Sequence, residues 1–124
     1  IKRRMVIFLD TYAMVEIFEG NEKYLLYKSM ESVITRFNLF EFYYVVLSKY
    51  GKEKADLVFK NYRSIAKEVN DDILKSAAEF KLKNKKKRFS FTDCIGYKYA
   101  ESIGAKFLTG DYVFRDFPNV EWVQ

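Results

Sequence analysis

The run Met5-Val6-Ile7-Phe8-Leu9-Asp10 constrains the fold of this chain more than any other stretch. Five apolar residues in succession, without polar alternation, suit a strand covered on both faces, as in the middle of a parallel sheet. Asp10 closes the run, and in open α/β sheets ligands bind at the carboxyl ends of the strands. Asp is also a favoured helix N-cap, so Asp10 has a second reading as the cap of the segment that begins Thr11-Tyr12-Ala13-Met14.

A chain of 124 residues is predicted to form one domain around one core. Apolar residues make up 49% of it and aromatic ones 19%, which argues against disorder and for an aromatic-rich interior. The longest apolar runs fall far short of a bilayer span, and no stretch combines a basic start, an apolar middle and a small-residue cleavage site. The expectation is a soluble, cytoplasmic protein with no membrane partner. Cys94 is the single cysteine, which excludes an internal disulfide and a thiolate metal cage and suits a small buried side chain.

Histidine is absent, and this decides more about chemistry than any residue present. Ser-His-Asp and Cys-His catalysis, HExxH zinc sites and histidine bases are all excluded. Any hydrolytic chemistry must use carboxylates, lysines or a hard cation held by oxygen. The net charge of +5 fits a polyanionic partner but specifies only non-specific attraction.

After the first strand, the apolar spacing predicts a short helix over residues 11–19, stopped by Gly20-Asn21, and a second over 22–30. Ser32-Val33-Ile34-Thr35 reads as a brief strand. Residues 37–48, FNLFEFYYVVLS, predict a helix buried on most sides, with Glu41 as its only charge. An unpaired carboxylate in such company costs several kcal/mol, on the scale of a small domain's net stability. The alternative is that Asn38 caps the helix and Glu41, three residues on, completes a variant capping box.

Residues 52–63 read as a basic amphipathic helix and 65–69 as a short extended piece. Asn70-Asp71-Asp72 opens another helix, its acids explained by the N-terminal dipole, with Ile73, Leu74, Ala77, Ala78 and Leu82 inward. The run KLKNKKKR over 81–88 reads either as a solvated helix end or as a phosphate-contacting patch. Ser90-Phe91-Thr92-Asp93 opens a helix that Gly104 ends, and Asp93 sits where a capping box places an acid. A strand over 105–109 leads to Gly110-Asp111, and residues 120–123 form a final edge strand. Strands separated by helices predict an α/β fold with a parallel sheet and right-handed crossovers.

Each acid therefore has a local explanation, but their placement is shared. Asp10 and Asp111 follow strands, whereas Glu41 and Asp93 are expected in the first turn of helices. If those helices start at one edge of the sheet, all four point into one cleft. Two carboxylates about 5 Å apart repel by roughly 3 kcal/mol at an effective dielectric near 20, more than a cap contributes. Such a quartet needs a cation, and all-oxygen ligands favour Mg²⁺ or Mn²⁺, which activate water and stabilise phosphoryl transition states.

The succession FLDTYAMVEIF, NLFEF and FTDCIGYKYAESIGAKFLTGDYVF resembles a PIN domain, and the compact length is similar to that of VapC-type toxins of toxin–antitoxin pairs. The resemblance spans residues 1–124, least closely over 52–88, and implies a single α/β/α sandwich with a short, mainly parallel central sheet. It implies that Asp10, Glu41, Asp93 and Asp111 gather around Mg²⁺ or Mn²⁺ to hydrolyse phosphodiester bonds, usually of RNA. Thr11 and Thr109 match hydroxyl residues that support the metal site. A small antitoxin partner is implied too, and exposed aromatics on the early helices would suit it or a homodimer. In this reading Lys85, Lys86, Lys87 and Arg88 contact flanking phosphates without reading bases.

The chain departs from the family pattern after its last aspartate. Tyr112 and Val113 stand where family members often carry another polar or acidic residue, and Asp116 comes later. Such a loss would weaken a second metal site more than the first. Two competing readings are a PIN-fold RNA-binding or assembly module without catalysis, and a receiver-type signalling domain. The latter wants an adjacent acidic pair after the first strand and a middle-strand Asp, and neither is evident.

Overall fold

In a computed structural model that describes residues 5–124, the apolar run becomes β1 (Val6–Leu9), the middle strand of five. The others are β2 (Glu31–Thr35), β3 (Ala66–Lys67), β4 (Lys106–Thr109) and β5 (Val120–Trp122), ordered β3-β2-β1-β4-β5 with every pairing parallel. The run is wholly apolar because each face of the sheet has its own helical layer. Ile7 and Leu9 pack with Ile34 and Leu108 on one side, whereas Phe8 packs with Val33 and Phe107 on the other.

The first layer contains α1 (Thr11–Phe18), α2 (Leu25–Lys28), α3 (Arg36–Tyr50) and α4 (Lys52–Tyr62). The second contains α5 (Asp71–Lys83) and α6 (Phe91–Ile103). Its core is the aromatic interior that the composition predicted: Phe89, Phe107 and Phe114 interlock with Tyr97, the rings of Phe89 and Phe114 being only 4.5 Å apart. Gly96 is required there, since a Cβ would collide with the Phe8 ring. Cys94 is buried and unpaired, as expected. No helix is long and apolar enough to cross a membrane among the described residues.

Several local expectations need correction. Residues 22–30 are not one helix but a 3₁₀ turn, Glu22–Tyr24, followed by the single turn of α2. Helix α3 is not buried on most sides: Leu39, Phe42 and Val46 face the core, but Phe40 is 74% and Tyr44 65% exposed. Helix α5 buries Ala77 while Ala78 and Leu82 face solvent. In both helices one stripe meets the sheet, and apolar content in excess of that stripe has nowhere to go but outward. The strand order also removes the receiver-type reading, because receiver folds have the order 2-1-3-4-5 and this sheet is 3-2-1-4-5.

Candidate active site

Chain order reverses between β1 and β4, and at such a point a doubly wound sheet opens a crevice beyond its carboxyl ends. The register places Leu9 beside Leu108, so the chain leaves both strands side by side. Asp10 stays tied to that pairing through its N–H, which donates to the Leu108 carbonyl at 3.2 Å.

Both readings of Asp10 hold at once. Its backbone is extended and its Oδ1 accepts from the Ala13 N–H at 2.8 Å, so it caps α1. It is also only 2% exposed, at the floor of the crevice. Burial pushes its pKa up to about 8, and the charges of Asp93 and Asp111 add to the rise. Hydrogen bonds from the Thr109 hydroxyl and the Ala13 N–H oppose it without overcoming it.

Asp111 caps the 3₁₀ turn Tyr112–Phe114, accepting from the Val113 N–H at 3.2 Å, while its own N–H donates to Thr109 Oγ1 at 3.0 Å. Thr109 is fully buried and so links the acids that follow β1 and β4. Gly110 has no substitute between them. A Cβ there would overlap the Tyr12 ring and the Val123 carbonyl oxygen.

Asp93 sits in the first turn of α6, in a capping box with Ser90 as the sequence suggested. Asp93 Oδ2 accepts from the Ser90 N–H and Ser90 Oγ from the Asp93 N–H, both at 2.9 Å. Burial raises the Asp93 pKa, Asp111 and Glu41 raise it further, and the Ser90 bonds pull the other way.

Glu41 is placed differently from the expectation. The box of α3 is made by Thr35 and Asn38: the Asn38 N–H donates to Thr35 Oγ1 at 3.3 Å, and Asn38 Oδ1 accepts from the Thr35 N–H at 3.2 Å. Because α3 begins directly after β2, the cap falls three residues earlier than Asn38. Glu41 therefore lies in the second turn, takes no part in capping and is half-buried in the wall of the cleft.

Asp10, Glu41, Asp93, Asp111 and Thr11 all line one cleft of about 630 Å³. Thr109 lies behind it. Sequence reasoning missed Glu16, which lines it from α1, Glu19, which lines it from that helix's C-cap, and Asn38, which is 1% exposed and donates to Thr11 Oγ1 at 3.4 Å. The spacing of Tyr12, Val15, Glu16 and Glu19 on one helical face was the available signal. Glu19 is occupied at the rim, accepting from the Tyr50 hydroxyl at 2.7 Å and facing Lys49 at 3.6 Å. Among the described residues the lining thus has six acids and one lysine.

The basic run lies outside this cleft. Lys86, Lys87 and Arg88 line a neighbouring hollow with Tyr112, and Lys85 lines neither. Among the described residues no group of three or more His, Cys, Asp or Glu side chains is gathered closely enough to hold a metal ion as it stands. The chemistry of the donor set nevertheless suits a hard divalent cation: it is all oxygen, lies at the end of the sheet, and the charges of neighbouring acids raise the pKa values of Asp10 and Asp93.

Solved structures of the same fold support the topology. The chain is similar to a Mycobacterium tuberculosis toxin, VapC20, described as cleaving the sarcin-ricin loop, at 18% identity, TM-score 0.74, covering 93% of this chain and 98% of that one. It is similar to a toxin–antitoxin complex from Klebsiella pneumoniae at 14% identity and TM-score 0.73, covering 93% and 95%. A DNA-bound VapBC from Salmonella typhimurium aligns at 16% identity and TM-score 0.70, covering 98% of each chain. No curated protein matches the sequence. The PIN domain model matches residues 7–120, which include all four acids and run from β1 to the first residue of β5, and the chain therefore belongs to the PIN domain family.

Proposed function

We propose that this protein is a divalent-metal-dependent endoribonuclease that hydrolyses RNA phosphodiester bonds, acting as the toxin of a toxin–antitoxin pair. The observation that carries this reading is the meeting of four carboxylates, from four separate elements, in one cleft where burial and neighbouring acids hold Asp10 and Asp93 against ionisation. No capping role needs that meeting. Asp10, Glu41, Asp93 and Asp111 would hold Mg²⁺ or Mn²⁺. A bound divalent ion supplies Lewis-acid chemistry, activating water and offsetting charge that develops on the phosphoryl oxygens.

The chain's own residues do the positioning. Thr109 fixes Asp10 and Asp111 relative to each other, and the Ser90 box fixes Asp93 on the first turn of α6. Asn38 anchors Thr11 at the cleft wall. Without a cation, Asp10 retains its proton near neutral pH and must release it when one arrives. Lys86, Lys87 and Arg88, beside the acids, draw flanking phosphates.

An antitoxin partner is supported by the toxin–antitoxin assemblies among structures of the same fold. Phe40 and Tyr44, exposed on α3 around Glu41, offer it or a second copy of this chain an apolar surface next to the cleft.

The test is RNA cleavage by the purified protein with Mg²⁺ or Mn²⁺, with EDTA, and with Asp10→Asn combined with Asp93→Asn. Cleavage that requires the metal and vanishes in the double variant is expected. A double variant that still cleaves overturns the assigned chemistry, and a folded wild type that binds RNA without cutting it is the assembly module instead.

A further inference from the structure

Directly beyond Asp111 the chain leaves Tyr112 66% exposed. A lone exposed aromatic is ordinary, but this one is braced. The Arg115 guanidinium lies 5.8 Å from its ring centre and 5.2 Å from that of Trp122, and Trp122 meets the Tyr112 ring edge-on at 6.5 Å. A ring already held in place gives up little rotational freedom when something stacks on it.

Tyr112 forms one wall of a hollow of about 430 Å³, and Lys86, Lys87 and Arg88 form another. None of the three cations has an ion pair among the described residues. Arg88 adopts a left-handed backbone, φ 60°, which costs a non-glycine residue about 1 kcal/mol. That turn buries Phe89 and delivers Ser90 to cap α6, so the basic segment is tied to the box that holds Asp93. The hollow is thus anchored at both ends to the acids, through Asp111 on one side and Ser90–Asp93 on the other.

Asp116 also lines the hollow, so its charged groups number three positive and one negative. A carboxylate there disfavours a bare anion. It suits a ligand that carries phosphates together with N–H donors, as a nucleotide does. A base can offer its face to a tyrosine only when it is not stacked in a helix.

Resting on the nuclease reading above, we infer that Tyr112 is a stacking platform for one unpaired base of the bound RNA, next to the acids, with adjoining phosphates on Lys86, Lys87 and Arg88. The basic run is then more than a diffuse attractor: it fixes the register of the strand relative to the acids.

The lone tryptophan makes this measurable, because Trp122 lies against Tyr112. Binding of a short single-stranded oligoribonucleotide to the full chain is followed in EDTA by Trp122 emission and by anisotropy of a labelled strand. Tyr112→Ala should weaken binding about tenfold, and Tyr112→Phe should restore it to within about twofold. Lys87→Ala should flatten the dependence of log K on log salt by about 0.7. An abasic strand should bind wild type and Tyr112→Ala alike. If Tyr112→Ala lowers the melting temperature, the ratio of intact to abasic affinity in Tyr112→Phe carries the test.

Unchanged affinity in Tyr112→Ala, or equal affinity for duplex RNA, overturns the inference. Cleavage in Mg²⁺ is scored separately. Strands bound in this pattern but never cut would refute the nuclease and leave the inference standing, whereas cutting with Tyr112 irrelevant to binding refutes the inference alone.

Discussion

The Thr109 hydroxyl hydrogen-bonds the buried carboxyl of Asp10, although the two residues end different strands. The bond exists because β1 and β4 are neighbours in a register that sets Leu9 beside Leu108. Thr109→Val keeps the shape and removes the hydroxyl. Asp10 then loses a contact that lowers its pKa, and the Asp111 N–H loses its acceptor at 3.0 Å. A stability loss of about 1–3 kcal/mol in chemical denaturation is expected, with weaker cleavage at neutral pH.

Stability without metal should fall as pH rises. Asp10 is raised from 3.8 to about 8 in the native state, so between these values the folded protein holds a proton that the unfolded chain releases. Its contribution is complete below about pH 4 and is lost as pH passes through about 8. The slope from this group is at most about 1.4 kcal/mol per pH unit. Asp93, raised too, acts in the same direction. Urea melts in EDTA from pH 5 to 9 read this directly, and a flat profile would contradict the buried, acid-facing position of Asp10.

Asp10→Asn should separate folding from chemistry. Asparagine caps helices as well as aspartate does, so the bond to the Ala13 N–H survives. The variant should be more stable than wild type in EDTA at pH 8, by roughly 1–4 kcal/mol, and should lose the Asp10 share of the pH dependence, leaving that of Asp93. Cleavage should disappear.

Millimolar Mg²⁺ should raise the melting temperature of the wild type and leave that of the Asp10→Asn, Asp93→Asn double variant unmoved. Affinity for the ion should grow as pH rises through about 8, since the ion competes with the Asp10 proton. Calorimetric titration at pH 6.5 and 8.5 gives the comparison, and equal affinities would place the ion elsewhere.

Asn38→Ala should cost about 1–3 kcal/mol, more than an exposed cap, because the Thr35 hydroxyl is buried and bonds Asn38 Oδ1 at 2.6 Å. Cleavage should weaken along with stability, since Asn38 also holds Thr11 at the cleft. A variant with native stability would show that water replaces the amide.

What the amino-acid sequence determined by itself was local or compositional. The unbroken apolar run required a strand covered twice, and Ile7, Phe8 and Leu9 alternate between two buried layers as that demands. The lack of histidine and of paired cysteines left only oxygen donors. The Ser90–Asp93 box was visible because a box is written within four residues. The box of α3 is written just as locally, as Thr35 and Asn38, but its cap is the last residue of β2, and a residue that belongs to a strand pattern gives no sign of also starting a helix. Tertiary structure alone decided which acids meet. Asp10 and Asp111 are brought together by the pairing of β1 with β4 across most of the chain, and the wall of Glu16, Glu41 and Asp93 by how α1, α3 and α6 sit on the sheet. Caps and periodicity are fixed by neighbours within a turn, whereas a cleft depends on strand order and register, which exist only once distant segments have been buried against one another.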